Sequence, residues 1–101
     1  MKTLAIDLPR AAIAQFCQQY SIRQLSLFGS VLRDDFTESS DVDILVEFQA
    51  GKTPGLAIVT MQDELSQLLG RIVDLRTPAE LSRYFRDQVM QEAMVIYGEA
   101  G

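Results

Sequence analysis

Apolar and polar residues alternate in the middle of the chain, and this alternation predicts a β-strand over residues 42–48. Its even-numbered positions are apolar and share one side, while Asp41, Asp43, Leu45 and Glu47 share the other. The apolar side suits a buried sheet face. On the opposite side, the two carboxylates at the start of the strand repel each other, which costs free energy unless a positive group lies near them. The pattern therefore raises the question of what binds there.

Other segments carry helical or strand patterns bounded by turn residues. Together they predict the order helix, strand, helix, strand, helix, strand, helix. The predicted elements besides residues 42–48 are a helix over 9–20 capped by Asp7, a strand over 25–28, a short helix over 30–36, a helix over 56–69 ending at Gly70, a strand over 71–76, and a last helix from a capping box at 77–80 to Gly98.

This order predicts one α/β (α+β) domain over residues 1–101, with a small mixed sheet and helices packed mainly on one face. The last helix is expected to bury Leu81, Phe85, Val89, Ala93 and Ile96. No apolar run is long enough for a membrane span and the first residues do not resemble a signal peptide, so we expect a cytoplasmic protein.

Composition narrows the possible chemistry. The net charge is −5, which argues against binding nucleic acid through its phosphates alone. The chain has no histidine and one cysteine, which excludes Ser-His and Cys-His catalysis and an internal disulfide. Carboxylates, hydroxyls, arginines and a hard metal ion are the groups that remain.

Three aspartates form the candidate metal site. Asp41 and Asp43 lie about 6–7 Å apart on one side of a strand, and Asp74 joins them if the next strand lies alongside. A divalent cation such as Mg²⁺ offsets the repulsion of clustered carboxylates, and two ions can clamp a phosphoryl transfer. The alternative is structural: Asp41 as a turn residue, Asp43 as an exposed strand residue, and Asp74 paired with Arg71 or Arg76.

Gly29 and Ser30 follow a predicted strand and are candidates for phosphate binding. Glycine lets a phosphate approach the backbone, the helix start offers N–H groups, and Ser30 adds a hydroxyl. Arg33, one turn later, can pair with a phosphate. Taken singly each feature is weak, since most Gly-Ser pairs are turns. Together with the aspartates they predict a site for a nucleoside triphosphate and its metal ions.

The stretch Gly29-Ser30, ten residues, then Asp41-Val42-Asp43, with Asp74 on a later strand, resembles the signature of the DNA polymerase β-like nucleotidyltransferase superfamily. The short chain and the segments VDLRTPAEL and YFRDQVMQEAMVIYGE resemble the minimal nucleotidyltransferases, antitoxin partners of HEPN-domain toxins. The pattern departs at Asp34, where related sequences often have glycine.

The resemblance implies ATP as substrate, Mg²⁺ as cofactor and transfer of AMP to a tyrosine of a HEPN toxin RNase, which neutralises the toxin. By position, Asp41, Asp43 and Asp74 would bind the metal, with Asp74 a possible base, and Gly29, Ser30 and Arg33 would bind the phosphates. Two alternatives remain open: an antitoxin that acts by binding and occlusion, and a nucleotidyltransferase acting on a small molecule or RNA.

Overall fold

The computed structural model describes residues 6–33, 36–37, 39–52 and 54–98. Asp34 lies outside these residues. The regular elements of the described chain are α1 (Arg10–Gln19), β1 (Ile22–Phe28), β2 (Val42–Phe48), α2 (Ala57–Leu69), β3 (Val73–Arg76), α3 (Arg86–Glu92) and β4 (Met94–Tyr97), with short 3₁₀ helices at Gly29–Leu32 and Pro78–Glu80.

The four strands form one mixed sheet in the order β3-β2-β1-β4. β1 pairs antiparallel with both β2 and β4, whereas β2 pairs parallel with β3. A parallel pair needs a crossover connection, and α2 lies in that connection. The predicted mixed sheet is confirmed.

The main core lies between one face of the sheet and the helices α1 and α2. Helical spacing on α1 buries Ile13, Phe16 and Cys17, and α2 contributes Met61 and Leu65. These side chains pack against Leu25, Leu27, Val42, Ile44, Val46, Val73, Leu75 and Ile96 of the sheet. The opposite face carries the carboxylates, and the prediction that the helices pack mainly on one face is confirmed.

The predicted last helix over 77–98 is wrong. The capping box forms, with the Thr77 amide donating to the Glu80 carboxylate at 3.2 Å, but it begins only a three-residue 3₁₀ helix. The chain becomes extended at Leu81, α3 has seven residues, and β4 follows. The segment 94–97 is a strand because the outer edge of β1 offers it backbone partners, and Phe85 is left 49% exposed.

Smaller differences concern element ends. Pro9 rather than Asp7 holds the N-cap position of α1, and no side chain caps it. β1 begins at Ile22 because that side chain is buried and its residue pairs with Phe48. α2 ends as predicted, with Gly70 in the left-handed conformation. In the described part of the chain, no helix combines the length and apolarity that crossing a bilayer requires.

Candidate active site

Asp43 and Asp74 lie side by side at one end of the sheet. β2 and β3 run parallel, and their register pairs Asp43 with Asp74 directly. Equivalent positions on neighbouring strands point to the same face, so the two carboxylates project together. Asp41 precedes β2 by one residue and is exposed. The sheet thus brings the second and third predicted aspartates together, with Asp41 at the margin.

The electrostatics of Asp43 reflect this crowding. Its pKa is raised above the ordinary value, first by burial and then by the negative charges of Asp74 and Asp41. The positive charges of Arg76 and Arg33 act in the opposite direction. The charges of both other predicted carboxylates and of two arginines therefore affect the pKa of Asp43. A bound cation would stabilise its ionised form.

Gly29 touches this carboxylate. The antiparallel register pairs Phe28 with Asp43, so Gly29 follows at the point where β1 ends. Its φ of +75° favours glycine, and a Cβ built on it would collide with Oδ2 of Asp43. Position 29 therefore requires glycine for two reasons: its backbone conformation disfavours other residues, and Asp43 occupies the space that a side chain would need.

Ser30 and Arg33 lie close to this point on the 3₁₀ helix and at its end. The Arg33 amide donates to the Ser30 carbonyl at 2.9 Å, and Arg33 is extended, so the predicted short helix does not continue through Arg33. Arg33 lines a pocket of about 280 Å³ with Phe28, Gly29 and the α3 residues Gln88, Val89 and Glu92. A guanidinium and a glycine backbone therefore share one concavity beside Asp43.

Asp74 has a direct cationic partner. Arg76 Nε lies 3.2 Å and 3.4 Å from the two carboxylate oxygens, and Nη2 lies 3.3 Å from Oδ2. This is the structural pairing that the sequence left open as an alternative. The carboxylate hydrogen bond is also the main cause of a raised Arg76 pKa.

A second pocket, of about 210 Å³, contains these carboxylates. It is lined by Phe28, Asp43, Asp74, Arg76, Glu80, Leu81, Ser82 and Phe85. Sequence reasoning missed the contribution of the segment 80–85, because it placed that segment inside a long helix. The sequence was sufficient to place Arg76 beside Asp74 in this pocket, since residues two apart on a strand share a side.

A divalent cation fits the donor chemistry of the site, since carboxylate oxygens are its preferred ligands and Asp43 carries unfavourable like-charge repulsion. Even so, over the described ranges 6–33, 36–37, 39–52 and 54–98, no three His, Cys, Asp or Glu side chains converge closely enough to hold a metal ion. The ligand set Asp41, Asp43 and Asp74 therefore stays a prediction, and in this structure Asp74 is paired with Arg76.

Comparison with known families decides the class of protein. The sequence profile of the nucleotidyltransferase domain family matches residues 10–96, which include β1, β2, β3 and all but the last residue of β4. The chain belongs to this family.

Curated relatives of this nucleotidyltransferase are about one third identical to it over the aligned residues. A Methanocaldococcus jannaschii protein classed among the protein adenylyltransferases is 37% identical over 76 residues, covering 75% of this chain and 81% of the relative. The protein adenylyltransferase MntA of Thermococcus cleftensis is 32% identical over 80 residues, covering 78% and 79%.

Solved structures agree on the fold. A structure assigned as a minimal nucleotidyltransferase is 35% identical, with a TM-score of 0.69 over 84% of this chain and 86% of that one. A toxin–antitoxin complex with AMP-PNP has a TM-score of 0.72 at 23% identity, covering 91% and 75%. A complex of a tri-AMPylated Shewanella oneidensis HEPN toxin with its MNT antitoxin has a TM-score of 0.63 at 23% identity, covering 89% and 70%. The resemblance to the minimal nucleotidyltransferases is confirmed.

Proposed function

We propose that this nucleotidyltransferase is an Mg²⁺-dependent antitoxin that transfers AMP from ATP to a tyrosine of a HEPN toxin in the cytoplasm. The observation that carries the proposal is the parallel pairing of Asp43 with Asp74 beside Gly29. Relatives classed as protein adenylyltransferases, and related folds solved with AMP-PNP and with an AMPylated toxin, support the choice of reaction.

Each predicted residue has a role in this reaction. Asp41 and Asp43 would hold Mg²⁺, with Asp74 completing the ligand set, and two such ions are the expected number. When bound, the ions supply charge stabilisation at the phosphoryl group and its leaving oxygen. Gly29 and Ser30 would receive the triphosphate at the end of β1, where Gly29 presents no side chain, and Arg33 would pair with a phosphate oxygen.

The bonds formed and broken define what the chain must do. The tyrosine oxygen of the toxin bonds to the α-phosphorus of ATP, the bond between the α-phosphorus and the bridging oxygen breaks, and pyrophosphate leaves. The phenolic proton passes to a carboxylate, and Asp74 would accept it. Positioning of the two reactants supplies much of the rate enhancement in such reactions.

The surface around the pocket suits a protein acceptor. Phe85 lines the pocket with Asp43 and Asp74, and neighbouring Tyr84 is 86% exposed. Exposed aromatic residues are typical of protein interfaces. A small acceptor would leave these side chains in water, whereas a toxin delivering a tyrosine to the pocket would cover them. The net charge of −5 suits docking on a basic partner.

The test is transfer of labelled AMP from ATP to the purified cognate toxin in the presence of Mg²⁺. We expect labelling by the natural chain and its loss in Asp43→Asn, which removes one charge at the pocket. Asp63→Asn is the matched control, because Asp63 is exposed on α2, away from the carboxylate face. Equal labelling by Asp43→Asn and the natural chain would refute the proposal.

Binding alone is a second candidate function, favoured by the Asp74–Arg76 pair and the absence of a converged ligand set among the described residues. It predicts that Asp43→Ala still protects cells from the toxin. Protection that is lost in Asp43→Ala, with binding to the toxin intact, would leave adenylylation as the mode of neutralisation.

A further inference from the structure

Arg76 holds Asp74 by a pairing that follows from the strand. Residues 74 and 76 lie on the same side of β3, and three nitrogen–oxygen distances of 3.2–3.4 Å join their side chains. Both Asp74 oxygens accept from the guanidinium. They are the same oxygens that the proposed function assigns to a cation.

The two uses of Asp74 compete with each other. A carboxylate whose two oxygens both accept hydrogen bonds from a cationic fork has fewer lone pairs left for a divalent ion, and the fixed positive charge beside it repels that ion. The guanidinium therefore compensates the negative charge of the pocket before any metal arrives. It thereby offsets part of the like-charge repulsion between Asp74 and Asp43, which are paired in register.

Arg76 is also placed to find a new partner. Its side chain is 46% exposed and lines the 210 Å³ pocket with Asp43 and Asp74. A guanidinium presents donors in a planar fork that matches phosphate as well as carboxylate. A cation held by Asp43 and Asp74 would bring the phosphate oxygens that bind it to this pocket, which shares Phe28 with the pocket lined by Gly29 and Arg33.

We propose that Arg76 is a positioning residue that exchanges partners: it holds Asp74 before the nucleotide binds, and it pairs with a phosphate oxygen when Asp74 turns to the metal. This inference rests on the proposed function. It assigns to Arg76 two opposing effects, because the residue competes with the cation alone and assists the cation together with its nucleotide.

The experiment measures the two affinities separately in Arg76→Gln. We expect Mn²⁺ alone, followed by electron paramagnetic resonance, to bind roughly twofold to fivefold more tightly, since one exposed ion pair no longer competes. AMP-PNP with Mg²⁺, followed by calorimetry, should bind roughly tenfold more weakly, because a charged hydrogen bond to phosphate is lost. Arg76→Lys keeps the charge but not the planar fork of donors, so each of its two affinities should lie between that of the natural chain and that of Arg76→Gln.

Arg23→Gln is the matched control. Arg23 forms an exposed ion pair with Glu47 at 2.7 Å, and neither residue lines the pocket that contains Asp74. Its loss should leave both affinities unchanged. Thermal unfolding of each variant shows that the fold is retained.

A purely structural role for the Arg76–Asp74 ion pair leads to a different expected result. If Arg76 only stabilises the fold, Arg76→Gln lowers the unfolding temperature and leaves both affinities unchanged, which overturns the inference. A shift of both affinities in the same direction overturns it too. The proposed function fails separately, if the natural chain binds Mn²⁺ no better than Asp43→Asn or does not transfer AMP to the toxin.

Discussion

Gly29→Ala tests the link between the end of β1 and the carboxylate of Asp43. The new side chain has two effects. It forces an L residue to adopt a φ of +75°, and it places a methyl group where Oδ2 of Asp43 lies. The first effect costs stability in any protein, whereas the second also displaces a carboxylate that the proposed reaction needs.

Gly51→Ala separates these effects. Gly51 has a φ of +74°, and a Cβ built there meets no atom of the described residues within 4 Å apart from its chain neighbours. We expect Gly51→Ala to cost roughly 1–2 kcal/mol from the left-handed backbone alone. Gly29→Ala should cost that amount plus about 1–3 kcal/mol for overpacking, the lower end applying if Asp43 rotates away. Each kcal/mol corresponds to a fall of roughly 4–8 °C in unfolding temperature for a domain of this size.

Urea and thermal unfolding of the two variants give the stability difference, and AMP transfer to the toxin gives the functional one. Displacement of a reacting group by about 1 Å can cost roughly a hundredfold in rate, so Gly29→Ala should lose most of its activity while Gly51→Ala keeps it. In an Asp43→Ala background the extra cost of Gly29→Ala should vanish, because the atom it meets is gone. Equal stability and equal activity in Gly29→Ala and Gly51→Ala would show that the contact between position 29 and Asp43 has no effect.

Two further predictions concern titratable groups. The folded-state pKa of Asp43 is raised above 3.8, so ionising Asp43 destabilises the fold and stability is lost as the pH rises through the folded pKa. At pH 7 without metal, Asp43→Asn should therefore unfold at a higher temperature than the natural chain. The difference between the two unfolding temperatures should shrink as the pH falls towards 3.8. A constant gap from pH 7 to pH 3.8 would contradict this. Burial raises the pKa of the Cys17 thiol to about 12, so a thiol reagent at pH 8 should label Cys17 only as fast as the chain unfolds, and rapid labelling of the folded chain would contradict it.

The central strand and its neighbours could be predicted because their patterns are local. Alternation over residues 42–48 identified β2, and the position of Asp74 within an apolar segment identified β3. Once the strands are parallel neighbours, the pairing of Asp43 with Asp74 follows from register. From the sequence, glycine at position 29 is expected because it lets a phosphate approach the backbone. The structure adds a second reason, which is the close contact with Asp43.

The C-terminal segment could not be predicted because its structure depends on a distant partner. Residues 94–97 are as compatible with the last turn of a helix as with a strand, and the unpaired edge of β1 decides between them. The exposure of Tyr84 and Phe85 follows from the same choice. Both Arg71 and Arg76 were open as partners of Asp74, although strand alternation puts only Arg76 on the same side, and the structure shows the pairing with Arg76.

The proposed function gives the paired carboxylates of β2 and β3 an essential part in transferring AMP from ATP to a partner protein. Intact mass spectrometry of the cognate HEPN toxin, produced together with this chain or with its Asp43→Asn variant, measures that event directly. We predict toxin heavier by one or more adenylyl groups with the natural chain and unmodified toxin with the variant. A toxin of unchanged mass beside the natural chain, though neutralised, would contradict it.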